Sequence, residues 1–69
     1  MEKILSAKLR EYRLRKKISQ QKLADLSFVH VRTILELESG KRNPTLKTFL
    51  KIIHILEIPL SEIIQILEE

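Results

Sequence analysis

The stretch Ser19–Gly40, SQQKLADLSFVHVRTILELESG, decides how the chain is read. It holds two short helical patterns, a tight break between them and a glycine stop. Ser19 is a good N-cap, because its hydroxyl can take up a free backbone N–H, and a helix over about 20–27 follows it. A second helix over 31–38 is closed by Ser39-Gly40, where glycine supplies the left-handed conformation that a helix stop prefers. At 100° per residue, Thr33, Ile34 and Leu37 fall on one side of this second helix, and Val31, Arg32, Leu35 and Glu36 spread over the other. The first set is expected to pack and the second to be offered outward.

Three more helices surround this pair. Residues 2–17 place Leu5, Leu9 and Tyr12 at i, i+4 and i+7, with Ile4 beside them and Arg13 next to the apolar stripe. Thr45 caps a helix over about 46–56, whose core face is expected to carry Leu46, Phe49, Leu50, Ile53 and Leu56, with Ile52 adjoining and Ile55 outside the stripe. Pro59 opens a last helix over about 60–68, with Leu60, Ile63, Ile64 and Leu67 expected inward. That leaves Ile66 facing out, near Ile55 and Ile58. These three isoleucines are the expected contact surface of a homodimer, and the acidic end Glu68-Glu69 keeps that face off a polyanion.

At 69 residues the chain is expected to be one domain over 1–69 with a thin core, and without cysteine it has no covalent staple. Hydrophobic residues at 43% and charged residues at 32% point to a globular chain, and one Gly with two Pro leave little room for loops, which suggests an all-α fold. No apolar run approaches the ~18 residues of a membrane span, so the expectation is a soluble, cytoplasmic protein that uses no membrane. The net charge of +4 is unevenly spread. Residues 1–18 carry seven Lys/Arg against Glu2 and Glu11, and residues 41–51 carry Lys41, Arg42, Lys47 and Lys51 with no acid. Positive flanks around a central stretch of net charge −1 suit a polyanion partner, since neutralising phosphates releases counterions.

Enzyme classes find no support. There is no Cys nucleophile and no Gly-rich phosphate loop, and Ser19, Ser27 and Ser39 read as caps and turn residues. No metal site is expected, because His30 and His54 have neither Cys nor an acidic cluster with them. No cofactor or small-molecule ligand is expected either.

Ser19, Gln20, Leu23, Ala24, Val29, Ile34, Glu38, Gly40 and Pro44 match without a gap the pattern S-Q-x-x-L-A-x-x-x-G-V-S-x-x-x-I-S-x-x-E-x-G-x-x-x-P. On these residues the chain resembles the lambda-repressor-like (Cro/C1-type, XRE) helix-turn-helix family, over about residues 5–64. The resemblance implies a five-helix DNA-binding domain with the helix-turn-helix at about 20–38. It implies an ion pair between Arg13 and Glu38 that ties the first helix to the third. It also implies that Gln20, at the cationic start of the second helix with Ser19, contacts the DNA backbone, as does the basic loop Lys41-Arg42-Asn43. Three positions depart from the pattern, Phe28, His30 and Leu35, and the first two bear on the turn and the cap. Phe28 stands where glycine is usual, so the turn is either strained or reshaped; His30 stands where serine commonly caps the third helix, a poorer cap and a candidate phosphate contact.

Of the outward set, Arg32 is the natural reader of guanine, Val31 and Leu35 offer apolar contact to thymine methyls, and Glu36 can accept from a cytosine amino group. The expected function is therefore a small dimeric repressor that reads a pseudo-palindromic operator in double-stranded DNA. The same four residues can equally form an apolar patch for a protein. The alternative is an antitoxin or anti-repressor whose main partner is a toxin or another protein.

Overall fold

The computed structural model describes residues 2–68, with side chains from Lys3 to Glu68; Met1 and Glu69 lie outside the described residues. The described chain is five α-helices: α1 Glu2–Arg15, α2 Gln20–Ser27, α3 Val31–Glu38, α4 Leu46–Leu56 and α5 Leu60–Glu68.

Side-chain caps begin three of them. Ser19 Oγ accepts from the Lys22 N–H at 2.9 Å and Thr45 Oγ1 from the Thr48 N–H at 3.2 Å. His30 does cap α3, its Nδ1 accepting from the Arg32 N–H at 3.2 Å. Each of the first four helices is followed by a residue in the left-handed region, and only one of these is glycine: Lys17 (φ 57°), Phe28 (φ 57°), Gly40 (φ 77°) and Glu57 (φ 54°). Lys17 explains why α1 stops at Arg15, two residues short of the expected 17.

Phe28 resolves the question raised at the turn. It takes the glycine conformation at φ 57°, ψ 40°, and Val29 N–H then closes onto the Ala24 carbonyl at 3.1 Å. The turn keeps its usual shape at a cost of about 1–2 kcal/mol of backbone strain. Its ring stands 85% exposed, so packing against the core does not offset that cost. Ser27 lies fully buried beneath the turn, with its hydroxyl donated to the Leu23 carbonyl at 2.5 Å.

α1 packs on α3, α4 and α5, and α2 packs on α3 and α4. The main core joins Leu9 and Tyr12 of α1, Leu23 and Ala24 of α2, Ile34 and Leu37 of α3, Ile52 and Leu56 of α4, and Ile58. A smaller cluster of Leu5, Phe49 and Ile66 closes the end where α1 meets α4 and α5. Ile53 and Ile63 pack against both clusters.

The C-terminal helices correct the expected dimer surface. Ile66 is completely buried against Leu5 and Phe49, Ile58 is buried in the main core, and Ile55 is half-buried against it. Ile58 and Ile66 are thus withdrawn from the surface, and Ile55 reaches it only in part. Conversely Leu46, Leu50, Leu60, Ile64 and Leu67, expected inside, are exposed. The physical reason is that the aliphatic face of α5 is wider than the space it packs into: it docks by its Ile63–Ile66 edge, which leaves Leu60, Ile64 and Leu67 on the other edge in solvent. The narrow space between Leu5 and Phe49 is filled by Ile66, with Ile63 beside it.

Candidate nucleic-acid interface

α3 is held against the body by Ile34 and Leu37, both essentially inaccessible, and by one ion pair at its C-terminal end. Arg13 reaches across from α1 as a two-pronged donor, with Nε to Glu38 Oε2 at 2.6 Å and Nη2 to Oε1 at 3.0 Å. Its remaining Nη1 donates to the Ile18 carbonyl at 2.9 Å, so the same guanidinium also fastens the α1–α2 link. The two side chains are only 10% and 5% exposed, and the hydrogen bonds that Arg13 donates to Glu38 raise the arginine pKa further above its already high value. The expected Arg13–Glu38 tie is therefore present in full.

Gln20 belongs to this network. Its amide donates to Glu38 Oε1 at 3.2 Å, which fixes the first turn of α2 to the end of α3. Beside it a shallow depression runs between α1 and α3, lined by Arg10, Arg13, Gln20, Leu35, Glu38 and Ser39. Arg10 was not singled out from the sequence. Its position three residues before Arg13, one helical turn away on α1, is the signal that could have found it.

The outward set on α3 divides. Arg32 is the most exposed, with 80% of its side chain accessible, and Leu35 is 46% exposed beside it. Val31 is not fully outward: it is half-buried against the core. Glu36 lies low between two arginines, Arg32 Nε at 3.8 Å and Arg42 Nη2 at 3.2 Å. Thr33, expected on the packed side, instead sits at the border and accepts from Arg42 Nη1 at 3.2 Å. The basic loop Lys41-Arg42-Asn43 is exposed and docks on α3 through that arginine and through the Lys41 N–H, which donates to the Glu36 carbonyl at 2.9 Å.

His30 and Lys41 line one shallow depression with Arg32 and Leu35, Arg42 and Asn43 lie beside Thr33, and Gln20 lies against Glu38 at the end of α3; Ser19 serves as the cap of α2. Lys51, from α4, approaches the Ser27 carbonyl at 3.5 Å and lies 5.6 Å from the Phe28 ring, adding a cation beside the α2–α3 turn. Among the described residues no group of His, Cys, Asp or Glu is placed to hold a metal ion, and no helix is long and apolar enough to cross a membrane.

A short capped helix, a tight left-handed turn and a second helix with an open cationic face define the class of a helix-turn-helix domain. The helix-turn-helix family model matches residues 9–63, most of the chain, which therefore belongs to the Cro/C1-type (XRE) helix-turn-helix family. No curated protein matches the chain. The family supports a DNA-binding transcription regulator as the general function.

Proposed function

We propose that the protein is a small dimeric repressor that reads a pseudo-palindromic operator with α3 in the major groove. The observation that carries this reading is Arg32, the most accessible charged group on α3, which shares an open depression with His30 and Lys41. An arginine so placed can make a bidentate contact to guanine O6 and N7 while its neighbours bind phosphate. Two α3 helices in successive major grooves lie about 34–36 Å apart, so two copies would set the half-site spacing.

The second copy is assigned to the face formed by α4 and α5 rather than to Ile55, Ile58 and Ile66. Pro44, Leu46, Phe49, Leu50, Ile53, Ile63 and Leu67 line an open apolar groove there, and Leu60 and Ile64 continue the same stripe of α5. The five exposed aliphatics offer on the order of 500 Å² per copy, a large part of the ~800 Å² per partner that a stable interface buries. Lys47 flanks the stripe on α4 and Glu68 flanks it on α5, so pairing α4 of one copy with α5 of the other brings opposite charges together.

Selection from a random duplex library, followed by titration of the winning site at several salt concentrations, tests the reading. A two-fold-symmetric motif with half-sites about one turn apart is expected. Weak, strongly salt-dependent binding without a motif would contradict it and favour the protein-binding alternative, for which the exposed Leu35 beside the neutralised Glu36 is the supporting feature. In sedimentation, Leu67→Asp is expected to leave a folded monomer, and an unchanged dimer would move the interface elsewhere.

A further inference from the structure

Glu36 lies where a base-reading residue is expected, yet its carboxylate faces an arginine on either side, in ion-pair contact without a hydrogen bond. Oε1 faces Arg42 Nη2 at 3.2 Å and Oε2 faces Arg32 Nε at 3.8 Å. Arg42 is held in turn by Thr33 Oγ1 at 3.2 Å. Thr33, Arg42, Glu36 and Arg32 form one chain of contacts along the outer side of α3, in which Glu36 is 29% exposed, Arg42 50% and Arg32 80%. We propose that Glu36 is a positioning residue for Arg32: it holds the reading guanidinium in place and does not itself read a base. The proposal rests on the DNA-binding reading above.

The atoms involved support this division of labour. Glu36 approaches Arg32 through Nε, which leaves the Nη1/Nη2 edge free, and that edge is the one that can donate two parallel hydrogen bonds to guanine. An arginine of this length on an exposed helix can otherwise swing to the nearest phosphate, where it adds affinity for any sequence and discrimination for none. A carboxylate four residues on, itself braced by the loop arginine, opposes that swing in two ways. It attracts the guanidinium from the helix side, and it repels the phosphates that would draw it away. Both effects act on specificity in the same direction.

Glu36→Gln keeps the side chain's shape and removes its charge. The experiment measures, for parent and variant, affinity for the selected operator, for that operator changed at the Arg32 base pair, and for random duplex, each over a range of salt. Expected in Glu36→Gln are several-fold tighter random binding, a salt dependence steeper by about 0.9 in log–log slope, and a loss of most of the roughly tenfold or greater discrimination at the Arg32 base pair. Glu36→Asp, which keeps the charge on a shorter stem, is expected to restore the parental salt slope. Two results overturn the proposal: altered preference at a neighbouring base pair with Arg32 discrimination intact, which makes Glu36 a direct reader, or no change in any of the three affinities. If the parent protein itself selects no motif, the DNA-reading function fails first, and that outcome is seen before any variant is compared.

Discussion

Two glutamates one half-turn apart on α3 meet arginines and come to opposite ends. Glu38 faces inward, nearly inaccessible, and is gripped by Arg13 through two hydrogen bonds of 2.6 and 3.0 Å with Gln20 as a third donor. Glu36 faces outward and shares longer contacts with Arg42 and Arg32, both at least half exposed. The chemistry of the two pairs is the same, and burial decides what each is for. Removing one partner of a buried pair leaves a charge without solvent or counter-ion, so the pair is indispensable to the fold. A pair whose arginines stand in solvent returns to water when broken and contributes little to stability, so those arginines are accessible to a ligand.

The largest expected effect comes from breaking the inner pair. Glu38→Ala should cost about 3–5 kcal/mol, comparable with the whole stability that an unstapled core of this size supplies. Circular dichroism at 25 °C is expected to show a largely unfolded chain, and a cooperative transition within 1 kcal/mol of the parent would erase the distinction between the two glutamates. A sturdier background sharpens the measurement. Phe28→Gly relieves a left-handed phenylalanine whose ring lies almost wholly in solvent, near Lys51 at 5.6 Å, and should gain about 0.5–1 kcal/mol in urea unfolding. A loss instead would mean that the exposed ring contributes more through Lys51 than its backbone strain costs. The smallest effect is predicted for the outer pair: Glu36→Ala should leave the unfolding free energy within about 0.5 kcal/mol of the parent.

Much of this contrast is legible in the order of residues alone. The boundaries of α2 to α5 follow from Ser19, Gly40, Thr45 and Pro59, because caps and breakers act through the local backbone. The Arg13–Glu38 pair is implied by the family resemblance and is found with its full geometry. Two things are not legible there, for different reasons. Which stripe of α5 turns inward depends on the space left by Leu5 and Phe49, and a helix with aliphatics at 60, 63, 64, 66 and 67 does not encode that choice in its periodicity. Arg32 stands four residues before Glu36 and is legible as its neighbour, but the Arg42–Glu36 and Gln20–Glu38 contacts escape a reading of the sequence, because they depend on the path of the loop and the crossing of α2 with α3 and not on spacing along one helix. The outer face of α3 consequently presents fewer free groups than a helical wheel offers: Arg32 and Leu35 project, Val31 leans on the core and Glu36 is engaged.

The most direct test of the account is the affinity of Arg32→Ala for the selected operator and for each of its single-base-pair variants, at fixed salt. The account predicts a folded protein that has lost about 1–3 kcal/mol of discrimination at one base pair per half-site while keeping its preferences elsewhere. An Arg32→Ala protein with the parental preference at every position would show that the most exposed side chain of α3 reads nothing, and would contradict the account at its centre.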